Sequence, residues 1–268
     1  MTAIGLIGCG GMAQDVVGAL RAADAARGVR IVGALARPGR SAPARARLDG
    51  VDIFEALDEL IARKPTIVAE VASQAAVADH VGTVLRGGID CLIISVGALA
   101  DATLFAKLKA AARDGKSRIL LPAGAIGGLD AIAAMRLSGL TSVRYRSRKP
   151  PLAWRGSPAE RHVDLGKLAE RTVLYKGTAG EAALLYPQNA NVAAAVALAG
   201  LGFEATAVEL VADPDAGGNI HEIEAEGASG RFAIELRGKP SPTNPKTSAL
   251  AALSVARALL NEQAMIVI

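Results

Sequence analysis

The sequence predicts an α/β fold in two parts, a domain built on a parallel sheet and a smaller α+β domain with a mainly antiparallel sheet. Three observations carry this. The first half alternates short apolar strands with helical patterns, as βαβ units do. A glycine-rich turn joins the first strand to the first helix. Beyond Pro122 the alternation stops, and strands of period two follow one another with a hairpin signal between the last two.

The first strand runs through Ile4-Gly5-Leu6-Ile7 into Gly8-Cys9-Gly10-Gly11-Met12-Ala13. From Gly8 this reads G-x-G-x-x-A, the dinucleotide-binding fingerprint of a Rossmann-type domain. Gly8 permits a tight turn, Gly10 lets the backbone approach a pyrophosphate, and Ala13 is small enough for helix to pack on strand. Met12, Val16, Val17 and Leu20 recur at helical spacing directly afterwards. That context favours nucleotide binding over an ordinary glycine-rich turn, with Gly8, Gly10, Gly11, Met12 and Ala13 as expected cofactor contacts.

Further apolar strands are expected at Arg30–Ala36, Ile67–Ala72, Cys91–Val96 and Ile119–Leu121. Helical patterns lie between them at Ala56-Leu57-Leu60-Ile61 and at Phe105, Leu108 and Ala112. The loops Ala72-Ser73-Gln74 and Ser95-Val96-Gly97-Ala98 fall at the carboxyl ends of strands, where an open α/β sheet binds its ligand. Ser73 and Ala98 are therefore expected to face a cofactor.

The second half opens with Gly124-Ala125-Ile126-Gly127-Gly128-Leu129-Asp130, leading into a helix. Strands are expected at Ser142–Arg148, Thr172–Lys176, Thr206–Ala212, Asn219–Glu226 and Arg231–Arg237. Gly227-Ala228-Ser229-Gly230 joins the last two, and Phe232, Ile234 and Leu236 alternate with Arg231, Glu235 and Arg237. Such a half-buried sheet needs covering helices, for example Asn191–Ala199. A final helix has Asn244 as N-cap, Pro245 at its first turn and a stripe of Leu250, Leu253, Ala256, Leu259 and Leu260. Its return to the first domain makes residues 1–123 with 244–268 one domain, and 124–243 the other.

A chain of 268 residues, 51% hydrophobic, can bury two cores. Gly, Pro or a charge interrupts every apolar stretch before bilayer length, and no leader precedes the first strand, so a cytoplasmic protein without membrane association is expected. Cys9 and Cys91 have no metal-ligand neighbours and read as small buried residues rather than a disulfide. The net charge of +4 includes the cluster Arg144-Tyr145-Arg146-Ser147-Arg148-Lys149. Its alternation reads as a solvated strand edge rather than a nucleic-acid surface.

Of three histidines, His80 lies in a helical segment far from any glycine loop, and His162 in the charged stretch Glu160–Asp164. Both read as structural or surface residues. His221 shares its strand face with Ile223 and Ala225, so it points toward the covered side after the turn Asp215-Ala216-Gly217-Gly218. It reads either as a hydrogen-bonded core histidine or, with a pKa near neutrality, as a proton carrier. Lys239-Pro240-Ser241-Pro242-Thr243-Asn244-Pro245-Lys246-Thr247-Ser248 brings cations and hydroxyls to a helix start, suited to a carboxylate or to plain capping. Asn189 and Asn191 begin another helix, as caps or as amides for a ligand. The second strand ends in Leu35-Ala36-Arg37-Pro38-Gly39-Arg40-Ser41 without the acid that usually accepts ribose hydroxyls. Arg37, Arg40 and Ser41 lean toward a 2′-phosphate, hence NADP or dual use. No P-loop, CxxC pair, H-E-x-x-H or G-x-S-x-G elbow is present, which removes candidates for metal chemistry and acyl transfer.

Five blocks together resemble the L-aspartate dehydrogenase family across essentially the whole chain. They are Gly8–Ala13, Pro122–Asp130, Pro187-Gln188-Asn189-Ala190-Asn191-Val192-Ala193, Asn219–Ile223 and Pro240–Ser248. The resemblance implies oxidation of L-aspartate by NAD or NADP to iminoaspartate, which hydrolyses to oxaloacetate and ammonia or feeds NAD biosynthesis. It also implies that the α+β domain helps form a homodimer. The family's catalytic histidine maps to His221, and cofactor contacts map to Ala125 and Asn191.

On this reading aspartate sits between the domains with its C2 hydrogen facing the nicotinamide, and His221 takes a proton from the amine or activates water. Asn189, Lys246, Thr247 and Ser248 are the expected substrate contacts, the last three with the helix start holding a carboxylate. The competing readings are another two-domain reductase, of the dihydrodipicolinate reductase or homoserine dehydrogenase type, and a nucleotide sensor without chemistry. The His-His and Lys signature of the first is absent.

Overall fold

The computed structural model describes every residue except 24–27, 188, 244–246 and 268. The chain forms two compact units, Met1–Gly124 with Pro242–Thr247 and Ala251–Ile268, and Ala125–Ser241 with Ser248–Leu250.

The first unit alternates as its pattern requires: β1 (Thr2–Ile7), α1 (Gly11–Ala22), β2 (Val29–Leu35), α2 (Ser41–Arg47), β3 (Ile53–Phe54), α3 (Leu57–Ile61) and β4 (Ile67–Glu70). After β4 come α4 (Gln74–Ala76), a π-helical turn at Val77–Val81 and α5 (Gly82–Arg86). Then follow β5 (Asp90–Ile93), a 3-10 turn at Val96–Ala100, α6 (Ala102–Gly115) and β6 (Ile119–Leu120). The six strands are parallel in the order β3-β2-β1-β4-β5-β6. The chain thus winds outward from β1 in both directions, and the reversal between β1 and β4 opens a crevice at their carboxyl ends. Ile4, Leu6, Val16, Leu20, Ile67 and Leu92 form one core with Val255 and Leu259 of α10 (Ala249–Asn261).

Two expected strands end early for one reason. The strand expected to Ala72 stops at Glu70, and the one expected to Val96 stops at Ile93. The Glu70 carboxylate accepts the backbone N–H groups of Ala72, Ser73 and Ser95, donors that a longer strand would have given to its neighbours.

The second unit contains α7 (Leu129–Ser138), β7 (Leu140–Lys149), β8 (Thr172–Thr178), α8 (Ala179–Leu185), α9 (Asn191–Ala199), β9 (Ala207–Ala212), β10 (Asn219–Gly227) and β11 (Gly230–Gly238). Its sheet runs β11-β10-β7-β9-β8, antiparallel except for the parallel pair β7–β9. Val143, Tyr145, Leu210, Ile223 and Ala225 line the covered face beneath Ile132, Ala182, Ala193 and Val196 of the helices. The hairpin closes on Gly227 opposite Gly230.

The basic cluster on β7 is not a solvated edge. β7 is the central strand, between β10 and β9, and acids on its neighbours neutralise it. Arg146 pairs with Glu209 at 2.7 Å and Glu222 at 3.2 Å. Arg148 is buried among Asp213, Glu222 and Glu235 at 2.8, 2.7 and 3.0 Å. The start of the terminal helix at Asn244-Pro245 lies outside the described residues, and α10 is regular from Ala249. Among the described residues no helix is long and apolar enough to cross a membrane.

Candidate active site

In the first unit a cleft of about 670 Å3 lies at the carboxyl ends of β1, β2 and β4. That is within the range of small-molecule sites. Gly8, Gly10, Gly11, Met12, Arg37 and Ser73 line it, as expected. Gly8 has φ +113°, and a Cβ there would meet the Cβ of Ala72 at 2.8 Å. Gly10 precedes α1 with no side-chain cap, and among the described residues, its chain neighbours aside, no atom lies within 4 Å of where its Cβ would be. The first N–H groups of α1 and the open space above Gly10 fit a pyrophosphate. Arg47 braces the turn by donating to the carbonyl of Cys9 at 3.0 Å. Ala13 is wholly buried behind the cleft.

Arg40 joins Arg37 on the wall, opposite an acid that sequence reading missed. Glu55, one residue past the two-residue β3, also lines the cleft. Its carboxylate accepts from Gly39 N at 2.8 Å and Ser41 N at 2.9 Å. Hydrogen bonds from the Ser41 side chain and these two amides hold its carboxyl below the usual range. The acid thus serves the loop after β2.

Glu70 is fully buried, and burial raises its carboxyl above the usual range against the hydrogen bonds that lower it. Besides three backbone N–H groups it accepts the Ser95 hydroxyl at 2.9 Å. The loops after β4 and β5 are thereby held to one post. Ser73 caps α4, its Oγ accepting from Ala76 N at 3.2 Å. Ala98 is buried in the 3-10 turn and does not line the cleft.

His80 differs from its sequence reading. It lines the same cleft as Gly8 and Gly10, because the helical segment after β4 starts at the crevice, and its π-helical turn carries His80 along the wall. His162 is exposed in the other unit.

In the second unit the covered face of the sheet carries a polar cluster. His221 of β10 lies opposite Ser147 of β7, flanked by Tyr145 and Lys149 two residues either side. Tyr145 Oη and His221 Nδ1 are 2.7 Å apart. The rings stack with centroids 6.0 Å apart. Lys149 Nζ donates to Asn189 Oδ1 at 2.7 Å and lies 5.1 Å from the centre of the Trp154 ring. His221 Nε2 is buried with no hydrogen-bond partner among the described residues.

The expected near-neutral histidine is corrected here. Burial first, and then the charge of Lys149, push His221 down to about 3. Burial brings Lys149 down to about 8 and pushes the Tyr145 phenol up. At neutral pH the group is a neutral imidazole, a neutral phenol and an ammonium.

Asn189 belongs to this cluster, and Asn191 opens α9. Ala125 is buried just before α7. Ser248 is buried and bridges to Pro240, Thr247 is half-buried, and Lys246 lies outside the described residues. Lys149 was missed because it sat within a run of charges. The available signal was its parity, shared with Tyr145 and Ser147 on the covered face. No group of three or more metal-ligating side chains is assembled among the described residues.

A nucleotide-shaped cleft in one unit, and in the other a buried imidazole with one nitrogen free, suit hydride transfer coupled to proton transfer. The molecule is of the class of two-domain NAD(P)-dependent dehydrogenases. Family models agree: residues 8–122 match the NAD-binding domain of homoserine dehydrogenase, and residues 130–262 the C-terminal domain of aspartate dehydrogenase. L-aspartate dehydrogenase of Ruegeria pomeroyi is 49% identical over 98% of this chain and 93% of its own. That of Cupriavidus necator is 44% identical over 97% of each. The crystal structure of aspartate dehydrogenase from Thermotoga maritima superposes with a TM-score of 0.78 at 26% identity, covering 100% of this chain and 99% of that one. The chain belongs to the L-aspartate dehydrogenase family.

Proposed function

We propose that the protein catalyses the NAD(P)-dependent oxidative deamination of L-aspartate. L-Aspartate, NAD(P)+ and water give oxaloacetate, ammonium, NAD(P)H and a proton. The observation that carries this is the buried Nε2 of His221, without a hydrogen-bond partner among the described residues, beside the Lys149 ammonium. When bound, the nicotinamide supplies the hydride acceptor.

The chain's residues do the rest. Gly8, Gly10, Gly11, Met12 and the α1 N-terminus receive the pyrophosphate, with Ala13 packing behind. Arg37 and Arg40 serve the adenosine ribose and admit a 2′-phosphate, which supports use of NADP as well as NAD. Ser73, Ala125 and Asn191 complete the cofactor contacts. His221 Nε2 takes a proton from the substrate ammonium, freeing the nitrogen lone pair that assists departure of hydride from C2. The imidazolium then returns its proton as water adds to the imine carbon and ammonia leaves. Tyr145 holds Nδ1 and so the ring's orientation. Asn189, Lys246, Thr247 and Ser248 bind substrate. Released before hydrolysis, iminoaspartate would feed pyridine nucleotide biosynthesis.

The free cysteines support a cytoplasmic setting. Exposed Val173, Leu184 and Leu185 on the edge strand β8 and on α8 support a homodimer. The test is reduction of NAD+ and NADP+ with L-aspartate, D-aspartate, L-glutamate and L-homoserine. Reduction with L-aspartate at least a hundredfold faster than with the others is expected. Equal or faster reduction with homoserine, or none with any amino acid while nucleotide still binds, would replace this reading.

A further inference from the structure

We propose that Lys149 is the anchor for one carboxylate of the substrate, and that a carboxylate seated there strengthens His221 as a proton acceptor. The inference deepens the reading above and rests on it for the identity of the substrate. Its ligand class is a dicarboxylate.

Lys149 is 8% exposed. Burying an ammonium is costly unless an anion accompanies it. Yet its partners among the described residues are neutral, the Asn189 amide and the face of Trp154. The acids of the sheet do not serve it, since Glu209, Glu222, Glu235 and Asp213 engage the arginines on the other face. An ammonium has three donors, and one is spent on Asn189. Lys149 is thus a buried cation without an anion among the described residues.

The same charge adds to burial in weakening the neighbouring base. Tyr145 and Lys149, both from β7, are the titratable groups that act on His221, and β11 faces it with Leu236. Glu222 and Glu224 lie on the opposite face of β10. Burial first, and the Lys149 charge in addition, hold the imidazole well below neutrality. A carboxylate against Nζ cancels the Lys149 field and adds a negative charge of its own. Both effects raise the proton affinity of Nε2. The base is therefore strengthened by the substrate it serves. An amine without the carboxylate is left against the weaker imidazole, which adds discrimination in the proton-transfer step to that in binding.

Imidazole titration by NMR of histidine-labelled protein, with succinate as probe, tests this. Loss of one signal in His221→Gln assigns the resonance. In the wild type, saturating succinate is expected to raise the His221 pKa by at least one unit. In Lys149→Met the free protein's His221 titrates higher than in the wild type, and succinate binds at least tenfold more weakly without moving it further. In turnover this variant raises KM for L-aspartate at least tenfold and leaves KM for the nucleotide unchanged. Lys149→Arg should restore succinate binding to within tenfold. Succinate that binds Lys149→Met as tightly as the wild type, or leaves wild-type His221 unmoved, overturns the proposal. Should Lys149→Met not fold, the wild-type titration alone decides. Absence of aspartate turnover in the wild type would sink the activity while leaving the succinate result to judge the anchor.

Discussion

Two glycines two residues apart are predicted to fail in opposite ways when given a methyl group. At Gly8 the backbone lies at φ +113°, and the added Cβ would meet the Ala72 Cβ at 2.8 Å and the Val71 carbonyl at 3.1 Å. The left-handed backbone costs about 1–2 kcal/mol for an L-residue. Overpacking against a neighbouring strand end adds about 1–3 kcal/mol. A total loss of about 2–5 kcal/mol corresponds to a fall in Tm of roughly 5–15 °C for a chain of this size. At Gly10, φ is −84°, which any residue adopts, and the new Cβ would meet no atom of the described residues beyond its chain neighbours within 4 Å. Replacing Gly by Ala at this cap costs roughly 0.5 kcal/mol, so Tm should hold within about 2 °C. The methyl would instead displace the pyrophosphate from the α1 N-terminus. Loss of one or two charge-assisted hydrogen bonds, each about 1.5–3 kcal/mol, weakens nucleotide binding by at least about tenfold. Differential scanning calorimetry and titration of NAD(P)H fluorescence read the two quantities. A stable Gly8→Ala would refute the steric reading of the turn, and a Gly10→Ala that binds nucleotide like the wild type would refute the placement of the phosphate there.

Arg148→Met should cost about 3 kcal/mol in urea unfolding, because it leaves the acids around a buried guanidinium without their cation, whereas Arg146→Met at a half-exposed pair should cost less than about 1 kcal/mol. The His221 imidazole protonates near 6.5 in the unfolded chain but only near 3 in the fold. The unfolded state therefore binds more protons between those values, and wild-type stability falls as pH drops through that window, by up to about 1.4 kcal/mol per unit. His221→Gln should flatten that slope, measured as urea midpoints from pH 7 to pH 4. Arg37→Ala should weaken NADPH binding at least tenfold more than NADH binding, read by fluorescence titration.

What was legible in the sequence is what short-range rules determine. The turn from Gly8 to Ala13 needs only neighbours in the chain, and so does the hairpin between Gly227 and Gly230. The period-two face of β10 already placed His221 beneath the covering helices. What escaped depends on which strands pair. A run of arginines reads as surface until β10 and β9 bring Glu222 and Glu209 against it. Lys149 is buried by the same pairing, so the cation beside His221 was hidden in an apparently solvated edge. Glu55 and Glu70 were invisible for a related reason, since each binds backbone N–H groups of loops rather than any recognisable partner motif. His80 reached the nucleotide cleft because parallel strands return every following helix to one end of the sheet.

The most direct test is to follow deuterium from L-[2-2H]aspartate with either nicotinamide cofactor. The account predicts that one deuterium appears at C4 of the reduced nicotinamide for each oxaloacetate formed, with no label in solvent. In His221→Ala the transfer should slow at least a hundredfold. Label released to water, or a His221→Ala variant that transfers deuterium at the wild-type rate with an unchanged pH profile, would contradict it.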